Sequence, residues 1–105
     1  MIGSDTETTS ISLLVYVPND NDVDGYQAEI REIFVRVLGM PVSNVTIDGP
    51  TITYYHRVVA DGIGANVDIP AALIQIDIAL AESNELPEGT ALVNRKSTSY
   101  LSVHK

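Results

Sequence analysis

Alternation of apolar and polar positions predicts the first strand of this chain. From Ile11 to Val17 every second residue is a large aliphatic side chain, and Leu14 and Tyr16 make the intervening positions partly apolar too. Successive side chains of a strand lie on opposite faces, so the pattern indicates a strand with apolar residues on both faces, as is typical of the centre of a sheet. Residues 1–10, rich in Ser, Thr and acids, are interpreted as a flexible lead-in to a single domain over residues 11–105.

Helical periodicity follows over residues 26–38. Ile30, Phe34 and Leu38 recur at intervals of four and form one apolar stripe, while charged residues occupy the positions between them. Gly39 then stands where a C-capping glycine belongs. We therefore predict an amphipathic helix that ends at residue 38.

Residues 69–82 admit two interpretations. Asp68 is suited to an N-cap and Pro70 to a first helical turn, whereas the apolar alternation that includes Ile74 and Ile78 is typical of a strand. An uninterrupted run of about 14 residues is long for a strand and ordinary for a helix, so we predict a helix. Such a helix would bury two faces, formed by Leu73, Ile76 and Leu80 and by Ile74 and Ile78.

The remaining β-rich runs complete the order of elements; they cover residues 44–48, residues 52–59, and residues 90–94 with 99–104, which make the last strand or a hairpin that adds a closing strand. The order β-α-β-β-α-β predicts an α+β fold, a ferredoxin-like sandwich with two helices on one face of an antiparallel sheet. Residues 61–64, which contain two glycines, are expected to be a flexible loop. If residues 73–80 were a strand, the chain would be a mostly-β domain with one helix.

Charge and composition narrow the classes of partner. Fourteen acids against six bases give a net charge of -8, which disfavours direct binding to nucleic acid or to an anionic membrane. The acidity permits a cationic partner or a divalent metal, but its main expected role is to keep the protein soluble. There are no cysteines, so disulfides and thiolate chemistry are excluded. The first ten residues lack the pattern of a signal peptide and no apolar run approaches about 20 residues, so we expect a cytoplasmic protein.

An acidic turn before the first helix is the closest approach to a metal-binding motif. Its carboxylates alternate and are followed by glycine, as in the first half of a calcium-binding loop: Asp20, Asp22, Asp24 and Gly25. The twelfth position, which should supply a bidentate glutamate, is Arg31. A capping box formed by Asp24 and Gln27 explains the same residues without a metal. No cofactor is therefore expected, with calcium bound by the three aspartates as the alternative.

One imidazole is a candidate for catalysis. His56 lies in a β-rich run, close in sequence to Tyr54 and Asp61, and a pocket on the sheet that contained these groups would allow acid–base chemistry. No Gly-x-Ser-x-Gly elbow or other nucleophile motif accompanies it. A small enzyme that uses His56 is thus the second hypothesis.

The first hypothesis is a non-enzymatic interaction or assembly protein. Helices on only one face of a sheet that is apolar on both faces leave the other face to be covered, which favours a homo-oligomer. Tyrosine and arginine are typical anchors of interfaces, so the predicted contact residues are Tyr16, Tyr55, Arg57 and Tyr100. The chain would then be a small homo-oligomeric subunit, an adaptor or an inhibitor that acts through its surface, and an acidic surface suits a partner with a basic groove.

Overall fold

A computed structural model describes residues 8–50 and 54–93, and the backbone alone for residues 99–103. The elements in chain order are β1 (Thr8–Tyr16), α1 (Val23–Leu38), a 3-10 turn (Val42–Asn44), β2 (Val45–Asp48), β3 (Tyr55–Gly64), α2 (Ile69–Glu82), β4 (Ala91–Leu92) and β5 (Ser99–Val103). Two helices pack on an antiparallel sheet, which confirms the prediction of an α+β fold. The mostly-β alternative is wrong, because residues 73–80 are helical.

The first strand lies at the centre of the sheet, as predicted. β1 pairs with β3 along one side, and with β4 and β5 along the other, and every pairing is antiparallel. β2 pairs with β3, which gives the order β2-β3-β1-β4. β1 begins at Thr8, inside the predicted lead-in, because Thr8 and Thr9 pair with both β3 and β5. Residues 1–7 lie outside the described part of the chain.

One hydrophobic core lies between the sheet and the helices. Its largest fully buried side chains are Ile11, Leu13, Val15 and Val17 from the first strand and its end, Ile30, Ile33 and Phe34 from α1, and Ile76 and Leu80 from α2. Burying each such side chain stabilises the fold by roughly 1.5–3 kcal/mol. Both helices therefore lie on the same face of the sheet. The opposite face carries Ser12, Leu14, Tyr16, Tyr55, Arg57 and Val59 in register, and we call it the open face.

Local capping explains where α1 begins and ends. Asp22 is its N-cap, and Oδ1 of Asp22 accepts a hydrogen bond of 3.1 Å from the Gly25 N–H. The helix therefore starts three residues earlier than predicted, and the expected capping box at Asp24 is wrong because Asp24 lies within the first turn. At the other end Gly39 has a φ of 67° and its N–H donates to the Val35 carbonyl at 2.8 Å, which confirms the predicted C-cap.

The predicted loop at residues 61–64 is wrong, because β3 continues to Gly64. The register shifts between the pairs Ile11–Ala60 and Thr9–Ile63, so the strand contains a bulge there. Gly62 has a φ of 84°, which a glycine adopts easily and which such a bulge requires. The glycine that suggested a loop thus bends a continuous strand.

The helix predicted for residues 69–82 is present with the expected cap, since Oδ1 of Asp68 accepts from the Ala71 N–H at 3.2 Å. Burial on two faces is wrong. Leu73, Ile76 and Leu80 are buried, whereas Ile74 and Ile78 are 59% and 51% exposed. We call the solvent side of this helix the outer face of α2; its exposed residues are Ala71, Ile74, Gln75, Ile78, Ala81 and Glu82. In the described chain neither helix is long and apolar enough to cross a membrane.

The fourth strand is shorter than predicted. β4 covers only Ala91–Leu92 against an expected run of residues 90–94, and residues 94–98, 104 and 105 lie outside the described part. The backbone N–H of Leu92 donates to Oδ1 of Asp77 on α2 at 3.2 Å. This contact satisfies a donor of the edge strand and ties it to the helix layer.

Candidate functional site

Three tyrosines form an aromatic cluster on the open face. Tyr16 and Tyr55 are cross-strand partners of β1 and β3, and their ring centroids lie 5.4 Å apart with a tilt of 51°. The ring of Tyr54 meets that of Tyr16 nearly edge-on, at 6.4 Å and 79°. Both separations fall in the range that aromatic pairs favour. All three tyrosines are only partly buried, so part of the cluster faces solvent.

Tyr54 joins this cluster through an unusual backbone conformation. Its φ is 69°, a left-handed value that residues other than glycine seldom adopt. Its carbonyl still accepts a hydrogen bond of 3.0 Å from the Val17 N–H, so the pairing of the two chain segments continues to this residue. Tyr54 therefore lies on the face opposite His56, two residues along the chain, because the positive φ interrupts the alternation of faces.

Arg57 supplies the positive charge of the open face. It pairs in register with Leu14 on one side and with Asp48 on the other, and its Nη1 donates to Oγ of Ser12 at 3.5 Å. Its side chain is exposed. Beyond it along β3, the carboxylate of Asp61 accepts a hydrogen bond from the hydroxyl of Ser10. The open face thus combines aromatic, aliphatic and a few charged groups.

The structure brings together three of the four predicted contact residues. Tyr16, Tyr55 and Arg57 share the open face, while for Tyr100 the structure describes only the backbone, which pairs with Ile11. Tyr54 also belongs to the site and was not predicted, because its orientation depends on a backbone angle that periodicity does not reveal.

His56 lies on the opposite face, within the core, and is 1% exposed. Its Nδ1 lies 2.9 Å from Nε2 of Gln27, and the same amide nitrogen donates to the Gly49 carbonyl at 3.2 Å. Because an amide nitrogen only donates, Nδ1 accepts and the imidazole proton lies on Nε2. Burial lowers the pKa of His56 below its usual value, which favours the neutral ring.

The contacts of His56 differ from those that acid–base catalysis was expected to use. Tyr54 contacts Tyr16, and Asp61 is exposed and bonded to Ser10. A general base must come within hydrogen-bond distance of its substrate, and a side chain buried to this degree offers little access. The amide of Gln27 and the burial of the ring are instead typical of a histidine that stabilises the core.

The acidic turn has a structural explanation. Oδ1 of Asp22 caps α1, and a Cβ on Gly25 would lie 2.3 Å from Oδ2 of the same carboxylate. The glycine that resembles part of a calcium loop is therefore required for the close approach of the cap. Asp20 and Asp24 are exposed. Within residues 8–50 and 54–93, no three His, Asp or Glu side chains form a group that could hold a metal ion.

No family model matches this sequence, and comparisons with curated proteins and with solved structures gave no significant match. The proposed function therefore rests on the chemistry of the surface. The open face is the part of the sheet surface that carries the aromatic cluster.

Proposed function

We propose that this chain is a non-enzymatic assembly module that binds a second copy of itself through the open face. The observation that carries the proposal is the position of the tyrosine cluster. It lies with the aliphatic side chains of Leu14 and Val59 on the sheet face opposite both helices. Aromatic residues and arginine are the usual anchors of protein interfaces, and here the tyrosines lie where β1 ends and β3 begins.

The charged residues of the open face favour binding of a second copy of the chain. A chain with a net charge of -8 repels its own kind, so self-association is favoured at a surface where a base offsets part of the acidic charge. On the open face Asp48 and Asp61 are accompanied by Arg57. Because a two-fold axis pairs a patch with itself, each Arg57 can be matched to an acid of the other copy.

The size of the open face supports the same proposal. Its strands have 9, 4, 10, 2 and 5 residues. At a strand spacing of about 4.8 Å and about 3.3 Å per residue they cover roughly 480 Å², which is more than half of the roughly 800 Å² that each partner buries in a standard interface. An isologous dimer through two such faces would be a two-layered sheet with helices on both outer sides.

We also propose that the fold is ferredoxin-like. In support of this, β3 lies between β1 and β2, and β4 and β5 occupy successive stretches of the same edge of β1. If β4 and β5 are counted as one interrupted strand, the order becomes 2-3-1-4, with α1 and α2 as the connections after β1 and β3. A sheet of this kind has one face covered by helices and one available for assembly.

Sedimentation equilibrium tests the proposed function. We expect a mass of about twice the monomer for the wild type, because an interface of standard size supports a dimer at micromolar concentration. Tyr55→Arg places a charge in the tyrosine cluster and should weaken dimerisation about 30-fold or more, as expected for a hot-spot residue. Ala28→Arg adds the same charge at an exposed position of α1 and should leave the dimer unchanged.

Circular dichroism must show that both variants are folded. A folded wild type that stays monomeric at every concentration measured would exclude self-association. Equal weakening by Tyr55→Arg and Ala28→Arg would indicate an effect of net charge and would contradict an interface at the open face.

A further inference from the structure

The outer face of α2 is apolar without being needed for the core. Ile74 and Ile78 are one helical turn apart and more than half exposed. Ala71 and Ala81 flank them and are also exposed, so the two isoleucines stand between small side chains that allow another chain to approach closely. Exposed aliphatic residues that cluster in this way commonly mark an interaction site.

Along the chain, acids lie at both ends of this surface. Asp68 lies at the N-terminal end of α2, Glu82 lies in its last turn and Glu85 follows the helix, and all three are exposed. Between Arg57 and Arg95 the sequence contains no Lys, Arg or His. The isoleucine pair therefore lies between two negative ends, which are about 21 Å apart along the helix axis at 1.5 Å per residue.

This charge distribution indicates which kind of partner the outer face of α2 would bind. A second copy that packed α2 against α2 would bring Asp68 and Glu82 against acids in either the parallel or the antiparallel orientation. An anionic membrane would be repelled for the same reason. A polypeptide with apolar anchors and a positive charge at each end is complementary both to the isoleucine pair and to the acids at the two ends of the surface.

We propose that the outer face of α2 binds a cationic amphipathic segment of another protein. Two apolar side chains one turn apart would pack on Ile74 and Ile78, as in other helix–helix recognition. Lys or Arg residues about 20 Å apart, which is roughly 14 residues of helix, would lie near Asp68 and Glu82. This surface is on the opposite side of the molecule from the open face, so the proposal is independent of dimerisation.

Binding of synthetic helical peptides tests the proposal directly. The probes are labelled amphipathic peptides with a central pair of leucines and with lysines placed 10, 14 or 18 residues apart, together with a matched set in which glutamate replaces lysine. We expect micromolar binding of a lysine peptide, weaker binding at higher salt because exposed charges are screened, and little binding of the glutamate peptides.

The variants separate specific binding from general attraction to an acidic protein. The double variant Ile74→Ser, Ile78→Ser should lower the affinity for the lysine peptide at least tenfold, and Glu82→Lys should lower it severalfold. The control Val42→Ser removes a side chain that is 58% exposed elsewhere on the surface and should change nothing. Tyr55→Arg should weaken dimerisation and leave peptide binding unchanged, so the two proposals can fail separately.

Four results with peptides or with the dimer would overturn the proposal. They are binding of every lysine peptide weaker than about 1 mM, equal binding of the glutamate peptides, unchanged affinity in the double serine variant, and loss of dimerisation in that variant. The last of these would assign the surface to a second copy. Binding to phosphatidylcholine vesicles that the double serine variant loses would assign it to a lipid surface and would also contradict a polypeptide partner.

Discussion

The two helices lie side by side on the same face of the sheet, yet their solvent sides are different. On α1 the exposed positions include Asp24, Glu32 and Arg36, so charged residues of both signs meet the solvent. On α2 the corresponding positions are occupied by Ile74 and Ile78. Each helix buries one stripe against the sheet, so packing requirements do not account for this difference.

The difference between the two helices distinguishes apolar residues that packing on the sheet requires from apolar residues that it does not require. A helix that is apolar all round is normally buried on all sides. α2 has apolar residues on two sides but is buried only along Ala72, Leu73, Ile76 and Leu80. The apolar residues left over therefore require another explanation, and a binding surface is the one proposed here.

The largest expected effect is on the free energy of unfolding. It is tested by one substitution on the buried side of α2 and one on its exposed side. Ile76→Ala should lower the free energy of unfolding by about 2–5 kcal/mol, because it leaves a cavity in the core. Ile78→Ala should change the free energy of unfolding by no more than about 0.5 kcal/mol, as is usual for exposed positions. Urea denaturation followed by circular dichroism measures both. Comparable losses would show that Ile78 is buried in solution and would remove the contrast between the helices.

Both helices have an aspartate as N-cap. Removing either cap should have a smaller effect on the free energy of unfolding. Asp22→Ala and Asp68→Ala should each lower the free energy of unfolding by about 1 kcal/mol, because each removes the acceptor of a first-turn N–H. Asp20→Ala, at an exposed position outside the helix, is the matched control and should have little effect.

The same proteins also test the acidic turn as a calcium site. If Asp22 acts only as a cap, millimolar calcium should leave the melting temperature of the wild type unchanged. A calcium-dependent rise that disappears in both Asp20→Ala and Asp22→Ala would instead establish the turn as a metal site.

The sequence allowed a correct prediction where structure depends on near neighbours. The helix end at Gly39 and the cap at Asp68 each require only residues within one or two turns. The strand through Ile11 and Val17 also followed from its own alternation, except that it begins at Thr8. Hydrogen bonds and burial patterns within short segments are encoded locally, so they can be read without the rest of the chain.

Features that depend on distant partners were missed. The bulge at Gly62 exists because β3 must pair with β1 on both sides of it, and Asn44 donates to the Asp61 carbonyl at 2.8 Å to support it. The orientation of Tyr54 depends on a positive φ. Periodicity also does not distinguish a stripe that packs on the sheet from one that faces solvent, so the exposure of Ile74 was not predicted. For the candidate site, residue type indicated Tyr16 as a contact residue but not the cluster around it.

The smallest expected effect concerns a polar pair that distinguishes the α1 side of the core from the α2 side. Gln27 reaches from α1 to the buried ring of His56, whereas the half-buried Asp77 of α2 accepts a hydrogen bond from the backbone of β4. Burial lowers the pKa of His56, so near its usual pKa of about 6.5 the unfolded chain binds more protons at this residue than the folded one. Stability should then rise with pH across this window and fall as pH drops below about 6.5.

The variant His56→Asn tests this pH dependence, because asparagine can accept from Gln27 but does not titrate. Thermal unfolding between pH 8 and pH 5 should show a decline for the wild type that is absent or weaker in the variant. Every other titratable group is common to both proteins, so the difference between the two profiles isolates His56. Parallel profiles would mean that the ring titrates alike in the folded and unfolded chains. The polar pair would then add a hydrogen bond to the α1 side of the core without making its stability depend on pH.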